Sequence, residues 1–111
     1  MPKRDYLAEF ELMVLLAVMR LGEGAYGVPI AREIELQSGR EAALGSVYAV
    51  LERLEEKRLV TSEFGEPTPQ RGGRAKRYFR VTKKGVREAR LARSALLNLW
   101  RGLRELEVKP T

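Results

Sequence analysis

Ser46, Ala49, Arg53 and Lys57 fall on one side of a helical stretch, LGSVYAVLERLEEKRL, that runs from Leu44 to Leu59. Small residues open that side and cations close it. A bulky anionic partner can therefore approach the backbone at the first turn (Gly45, Ser46, Ala49) and meet positive charge further along. A helix that needed only solubility would carry long charged side chains over its whole outer face. Ser46, Ala49 and Arg53 read as contacts to base edges or phosphates in a major groove, which a recognition helix enters by its N-terminal residues. Ser46 and Ala49 supply closeness and modest readout, because small side chains cannot make bidentate pairs with bases. The plainer reading is a solvated face.

A second cationic group lies downstream at Arg71, Arg74, Lys76 and Arg77, with Arg80 beyond and Glu66 the only acid near them along the chain. Such side chains suit phosphates, as a clamp on the backbone or an insertion into a minor groove. Gly72 and Gly73 let that segment approach a backbone closely. An ordinary solvated loop is the alternative, and the lack of balancing acids argues against it. Lys83 and Lys84 extend the same basic surface.

Other chemistries have little to work with. The chain has no Cys and no His, which excludes disulfides and thiolate metal sites and removes the commonest general base. Glu52, Glu55 and Glu56 sit on the outer turns of a surface helix, where Glu is simply a good helix former. No Ser has a base partner nearby and no phosphate-binding loop is present. The chain reads as a non-enzyme with no cofactor and no metal site. Its 111 residues fit one small domain, and 21 Lys and Arg against 15 Asp and Glu leave a net charge of +6 that favours polyanions. The N-terminus MPKRDYLAEF lacks the apolar core of a signal peptide, and the run Leu12 to Met19 is far short of the ~20 residues that span a bilayer. A soluble cytoplasmic protein without a membrane partner is expected.

The elements that hold these groups follow from periodicity. Asp5 can cap a helix ending near Leu21 at Gly22. Phe10, Met13, Val14, Ala17, Val18 and Leu21 form a broad stripe on it, and Leu12, Leu15 and Leu16 make its middle apolar almost all round. Such a helix is buried on more than one side, against a second subunit or at the centre of one subunit. Pro29 to Ser38 is a short helix with Ile30 and Ile34 inward, closed by Gly39. Arg40 to Ala43 is a brief extended piece. Val47, Val50, Leu51 and Leu54 give the Leu44 to Leu59 helix its core side. Leu59 to Phe64 and Arg77 to Val81 are strands, joined by GEPTPQRGGRAK, too rich in Gly and Pro for regular structure. Helix, helix, and a hairpin with a basic tip describe a winged helix. Thr82 caps a last helix, Lys83 to about Glu105, whose Ala89, Ala92, Leu96, Leu99, Leu103 and Leu106 step by three and four.

The fold class is thus mainly α with a small β-hairpin: a winged helix-turn-helix domain at 1–81, a long C-terminal dimerisation helix at 82–107 and a frayed tail at 108–111. The last helix has little of its own domain to lie against, so its stripe is expected to pair with its copy in a homodimer. Phe10, Val14, Ala89, Leu96, Leu99, Trp100 and Leu103 are the expected interface. Trp100 allows two readings, an aromatic wall for a small, flat hydrophobic effector bound between subunits, or dimer core, and the second is favoured.

From Tyr26 to Gly85 the sequence resembles the PadR family of winged-helix transcription regulators. YGVPIAREI in the second helix, LGSVYAVLERLEEKRLV in the third helix and first strand, and RGGRAKRYFRVTKKG in the wing and last helix carry it. The pairing of G-x-x-Y-x-x-L-x-R-L-E with a downstream R-x-K-R-Y-F-x-x-T-x-x-G is specific, and it covers over half of the chain. The resemblance implies a homodimer on operator DNA, usually a repressor, dimerising through its last helix with help from the first. It also implies that the Tyr48 hydroxyl reaches a DNA phosphate while its ring packs. The length matches the short subgroup with one C-terminal helix. Two positions depart from the pattern: Arg58 stands where the family usually has Gly, and the second helix reads YGVP rather than GYEI. The resulting expectation is a sequence-specific regulator of double-stranded DNA. A winged-helix protein-interaction adaptor and an RNA-binding module are the rivals.

Overall fold

The computed structural model describes residues 7–66 and 75–106. Four helices and one hairpin follow in order: α1 (Glu9–Leu21), α2 (Gly27–Ser38), α3 (Leu44–Glu56), β1 (Val60–Phe64), β2 (Arg77–Val81) and α4 (Lys83–Trp100). Single 3-10 turns lie at Gly22–Gly24 and Arg104–Leu106.

The core forms where the apolar faces of the first three helices meet the hairpin. Val14, Leu15, Ile30, Val47, Leu51 and Leu54 are fully buried, and Phe79 of β2 closes the bottom of the cluster. α1 touches α2, α3, β2 and α4, so it is the central helix of the subunit. That accounts for the apolar middle of α1, while Leu16 still keeps 43% of its surface open.

β1 and β2 are antiparallel, with Val60 opposite Val81, Ser62 opposite Phe79 and Phe64 opposite Arg77. The Phe79 N–H donates to the Ala25 carbonyl at 2.8 Å. The turn between α1 and α2 therefore satisfies the free side of β2, a pairing that its short Gly-rich sequence does not announce.

α3 ends in a Schellman turn. The Leu59 N–H donates to the Leu54 carbonyl at 2.8 Å and the Arg58 N–H to the Glu55 carbonyl at 2.9 Å. Arg58 sits at the position where Gly is favoured, with φ of 63°, the left-handed value. The helix thus ends as a Gly would end it, and the departure from the family pattern appears as local backbone strain.

Four expectations need correction. Asp5 lies outside the described residues, and α1 begins only at Glu9. Its N-terminal cap is Ala8, whose N–H donates to the Glu11 carboxylate at 2.9 Å. α3 stops at Glu56 rather than Leu59, because Arg58 leaves the right-handed region. α4 stops at Trp100 rather than near Glu105: Arg101 is extended and Gly102 turns with φ of 81°, so Leu103 and Leu106 fall outside the helix. Val14 and Ala89, expected at a dimer interface, are buried in the protomer core. The tail at 108–111 lies outside the described residues.

Candidate nucleic-acid interface

α3 presents its first turns outward. Ser46 and Ala49 are exposed, and a Cβ built on Gly45 would meet nothing within 4 Å. The opposite side of the helix is locked by Val47, Val50, Leu51 and Leu54, so the open side has a fixed direction. Tyr48 is exposed, with the hydroxyl end of its ring laid on Gly27 at the start of α2. A Cβ there would fall 2.8 Å from the ring edge at Cε2. Gly27 is therefore the residue that seats the tyrosine.

Further along, Arg53 of α3 and Lys57 at its C-terminal cap converge on one carboxylate. The Glu11 Oε2 lies 3.1 Å from Lys57 Nζ and 3.5 Å from Arg53 Nε. Glu11 is 6% exposed, the one charged residue in the core among the described residues. Burial pushes its carboxyl up, but the Ala8 N–H and the charges of Lys57 and Arg53 outweigh that and hold it below the usual carboxylate range. Arg53 keeps about half of its surface open, so it remains available while anchored at one side.

The wing divides the expected cations. Arg71 and Arg74 lie outside the described residues. Lys76 stands over the Tyr26 ring, 4.5 Å from its centroid, and its Nζ is 3.4 Å from the Tyr26 hydroxyl. Tyr26 meets Tyr78 edge-on at 5.5 Å. Arg77 is differently placed. Its guanidinium pairs with Glu52 and Glu55 of α3, donates from Nε to Ser62 Oγ at 3.0 Å and lies over the Phe79 ring at 4.9 Å. The hydrogen bond to Glu52 leads in raising its pKa above the ordinary arginine value, against the pull of burial. No acid adjoins Arg77 along the chain, yet the fold brings two. Residue types alone do not mark Glu11, Glu52 and Glu55 as partners of these cations. The three-residue spacing of Glu52 and Glu55, one helical turn, is the signal that those two could act together.

Leu96, Leu99, Trp100 and Leu103 are all exposed on the protomer, Leu99 the most at 75%, and Phe10 is partly buried. Between α1 and α4 runs a groove of about 580 Å³ walled by Leu7, Leu12, Leu91, Ala92, Ala95 and Leu96. Trp100 is not among its walls. Among the described residues no cluster of acidic side chains could hold a metal ion, and no helix is long and apolar enough to cross a membrane.

With this geometry in place, the chain can be set beside known proteins. The transcriptional regulator PadR-like family model matches residues 15–91. A PadR family transcriptional regulator from Eggerthella lenta superposes with a TM-score of 0.67 at 26% identity, covering 91% of this chain and 88% of that one. A transcriptional regulator from Clostridium thermocellum reaches a TM-score of 0.69 at 21% identity, with 89% of each chain covered. F93 from STIV, a winged-helix DNA-binding protein, gives 0.67 at 15% identity over 88% of this chain and 98% of its own, a likeness of fold alone. No curated protein matches the sequence.

Proposed function

The chain belongs to the PadR-like family of winged-helix, DNA-binding transcriptional regulators, and from that premise we propose that it acts as a homodimeric repressor on a roughly palindromic operator. The observation that carries this reading is the bare first turn of α3, outward-facing and fixed in direction by a fully buried opposite side. Ser46 and Ala49 bring the helix backbone close to base edges, and Arg53, steadied by Glu11, reaches the adjoining bases or phosphates. Tyr48, exposed beside them and seated with the hydroxyl end of its ring against Gly27, borders the same surface. Arg71, Arg74 and Lys76 of the wing grip the flanking backbone.

Two subunits joined through the exposed leucines of α4 place two such helices on one side of a duplex. Half-sites about one helical turn apart, ~34 Å, are then favoured. Occupying promoter DNA in this way is sufficient for repression. A flat hydrophobic molecule wedged between the subunits beside Trp100 would alter the spacing of the two α3 helices and release the operator. Trp100 is the one tryptophan of the chain, so quenching of intrinsic fluorescence reports such a ligand directly.

Selection of bound duplexes from a random pool tests the central claim. A palindromic motif, bound with an affinity that falls steeply with salt, is the expected result. Lys76→Ala and Arg74→Ala should weaken binding to all duplexes and lower the salt slope by about 0.9 for each phosphate no longer neutralised. Ser46 and Arg53 variants should instead change the preferred sequence. Failure to enrich any motif, or equal binding to structured RNA, would overturn the reading.

A further inference from the structure

Arg77 stands on the face of β2 that looks toward α3, in register with Phe64 and next to the Ser62–Phe79 pair. Each of its three guanidinium nitrogens has a partner. One terminal nitrogen pairs with Glu52 and the other with Glu55, one turn apart on α3. Nε donates to Ser62 of β1, and Ser62 Oγ in turn donates to Glu55 at 2.7 Å. The plane of the group lies over Phe79, a side chain only 2% exposed. This socket draws on α3, β1 and β2 and engages all three guanidinium nitrogens, so that three of the five N–H donors are held by the protein and only 26% of the side chain stays open. It also stands at the last register pair of the hairpin, where the strands leave the core and Phe64 is already 71% exposed. Below that point Val60 and Phe79 hold the hairpin by burial. At that point the socket ties the end of the hairpin to α3.

We propose that Arg77 is a positioning residue that locks the wing to the recognition helix through Glu52, Glu55 and Ser62, so that helix and wing meet DNA as one rigid body. The proposal rests on the DNA-binding reading above and sets Arg77 apart from the cations that grip phosphate. A phosphate clamp and a lock differ in sign. If Arg77 gripped phosphate, Glu52 and Glu55 would compete with DNA for it, and neutralising them would favour binding. As a lock, the two acids are as necessary as the arginine.

The test uses the full-length dimer, with the duplex enriched by selection from a random pool and a scrambled duplex of equal length. Four proteins are compared: wild type, Arg77→Ala, the Glu52→Gln/Glu55→Gln pair and all three changes together. The ratio of selected to scrambled affinity cancels the plain effect of added or removed charge. We expect Arg77→Ala and the double Gln variant each to lower that ratio about tenfold, with the triple variant no worse than Arg77→Ala. The salt slope of Arg77→Ala should match wild type, whereas removal of a phosphate-binding cation would lower it by about 0.9. Arg77→Lys, which keeps the charge without the fork, should restore the ratio only in part. A lowered slope, or a double Gln variant with an improved ratio, overturns the proposal. A second measurement needs no DNA: thermal unfolding of the same four proteins should be non-additive, and additive shifts would mean that the lock does not form. Should wild type bind no duplex while the unfolding shifts remain non-additive, it is the DNA-binding reading that has failed rather than the coupling.

Discussion

Glu11 is the residue on which the electrostatics of the first and third helices turn. It sits at the first turn of α1, where its carboxylate accepts the Ala8 N–H, and it also faces Arg53 of α3 and Lys57 at the C-terminal cap of that helix. Its folded carboxyl lies below the ordinary value of 4.5, so its contribution to stability is fully present above that pH and is lost as pH falls through the folded value. Glu11→Gln should cost about 1.5–3 kcal/mol near neutral pH, the range for hydrogen bonds to a charged group. In urea titrations the gap between wild type and variant should close below pH of about 4.5; a gap that stayed constant to acid would show that the charge contributes nothing. Arg58 gives a prediction of opposite sign. A left-handed residue with a Cβ costs about 1 kcal/mol relative to Gly, so Arg58→Gly should raise the melting temperature by several degrees in calorimetry. Both residues show what a sequence can and cannot reveal. The Arg58 anomaly is visible from the family pattern alone, because backbone handedness is set within one turn. Glu11 is not, since its partners lie more than forty positions away, and an acid in a first helical turn looks like ordinary capping.

Gly85 explains why the last helix joins the hairpin as it does. The Thr82 hydroxyl accepts the Gly85 N–H at 3.0 Å and donates to the carbonyl of Arg58 at 2.8 Å, tying the start of α4 to the end of the α3 turn. A Cβ on Gly85 would fall 2.7 Å from Val81 Cγ1 and 3.2 Å from the Leu59 carbonyl carbon, against backbone that cannot yield. Gly85→Ala should therefore destabilise the fold by about 1–3 kcal/mol, although Ala is the better helix former. Circular dichroism melts would detect this, and an unchanged or raised melting point would mean that α4 sits further from the strand. The T-x-x-G spacing thus serves close packing as well as capping, and only the capping half is apparent from residue types. Helix order, strand positions and the core sides of α2 and α3 are legible because each rests on local periodicity. The ends are less so. α4 ends at Trp100 because Gly102 turns the chain, whereas its leucine spacing continues beyond that point and predicts more helix than forms. The Ala25–Phe79 pairing is invisible for a different reason, being a single backbone hydrogen bond from a turn.

Among the described residues, α4 carries more exposed large apolar side chains than any other element. Leu91, Leu96, Leu97, Leu99 and Trp100 of α4 are all at least 40% exposed. Leu91 and Leu96 also line the groove against α1, together with Leu7, Leu12, Ala92 and Ala95 and with the polar Glu9, Glu88, Ser94 and Asn98. The cations of the first half of α4 tell the same story. Taking Lys83 as reference at about 100° per residue, Arg87 and Arg90 fall near it and Ala92, Leu96 and Leu99 fall opposite, while Lys84 and Leu91 lie to one side and Leu97 falls among the cations. A copy docked on the apolar sector would leave the charged sector in water, which is the distribution a helix-pairing seam requires. Val14 and Ala89, expected at that seam from periodicity alone, turn out to serve the protomer core. Periodicity identifies an apolar face but cannot divide it between a core and an interface, because both are driven by the same burial. Leu99 separates the two roles most cleanly. At 75% exposed it adds little to the protomer, so Leu99→Glu should leave the circular dichroism spectrum intact. If α4 pairs with its copy, the same change buries a charge in the seam and should weaken dimerisation by at least tenfold, about 1.4 kcal/mol or more. Sedimentation across a concentration series measures this directly, and operator binding should become concentration-dependent in parallel. A dimer of undiminished affinity would move the interface off this face of α4 and leave the apolar region without its expected occupant.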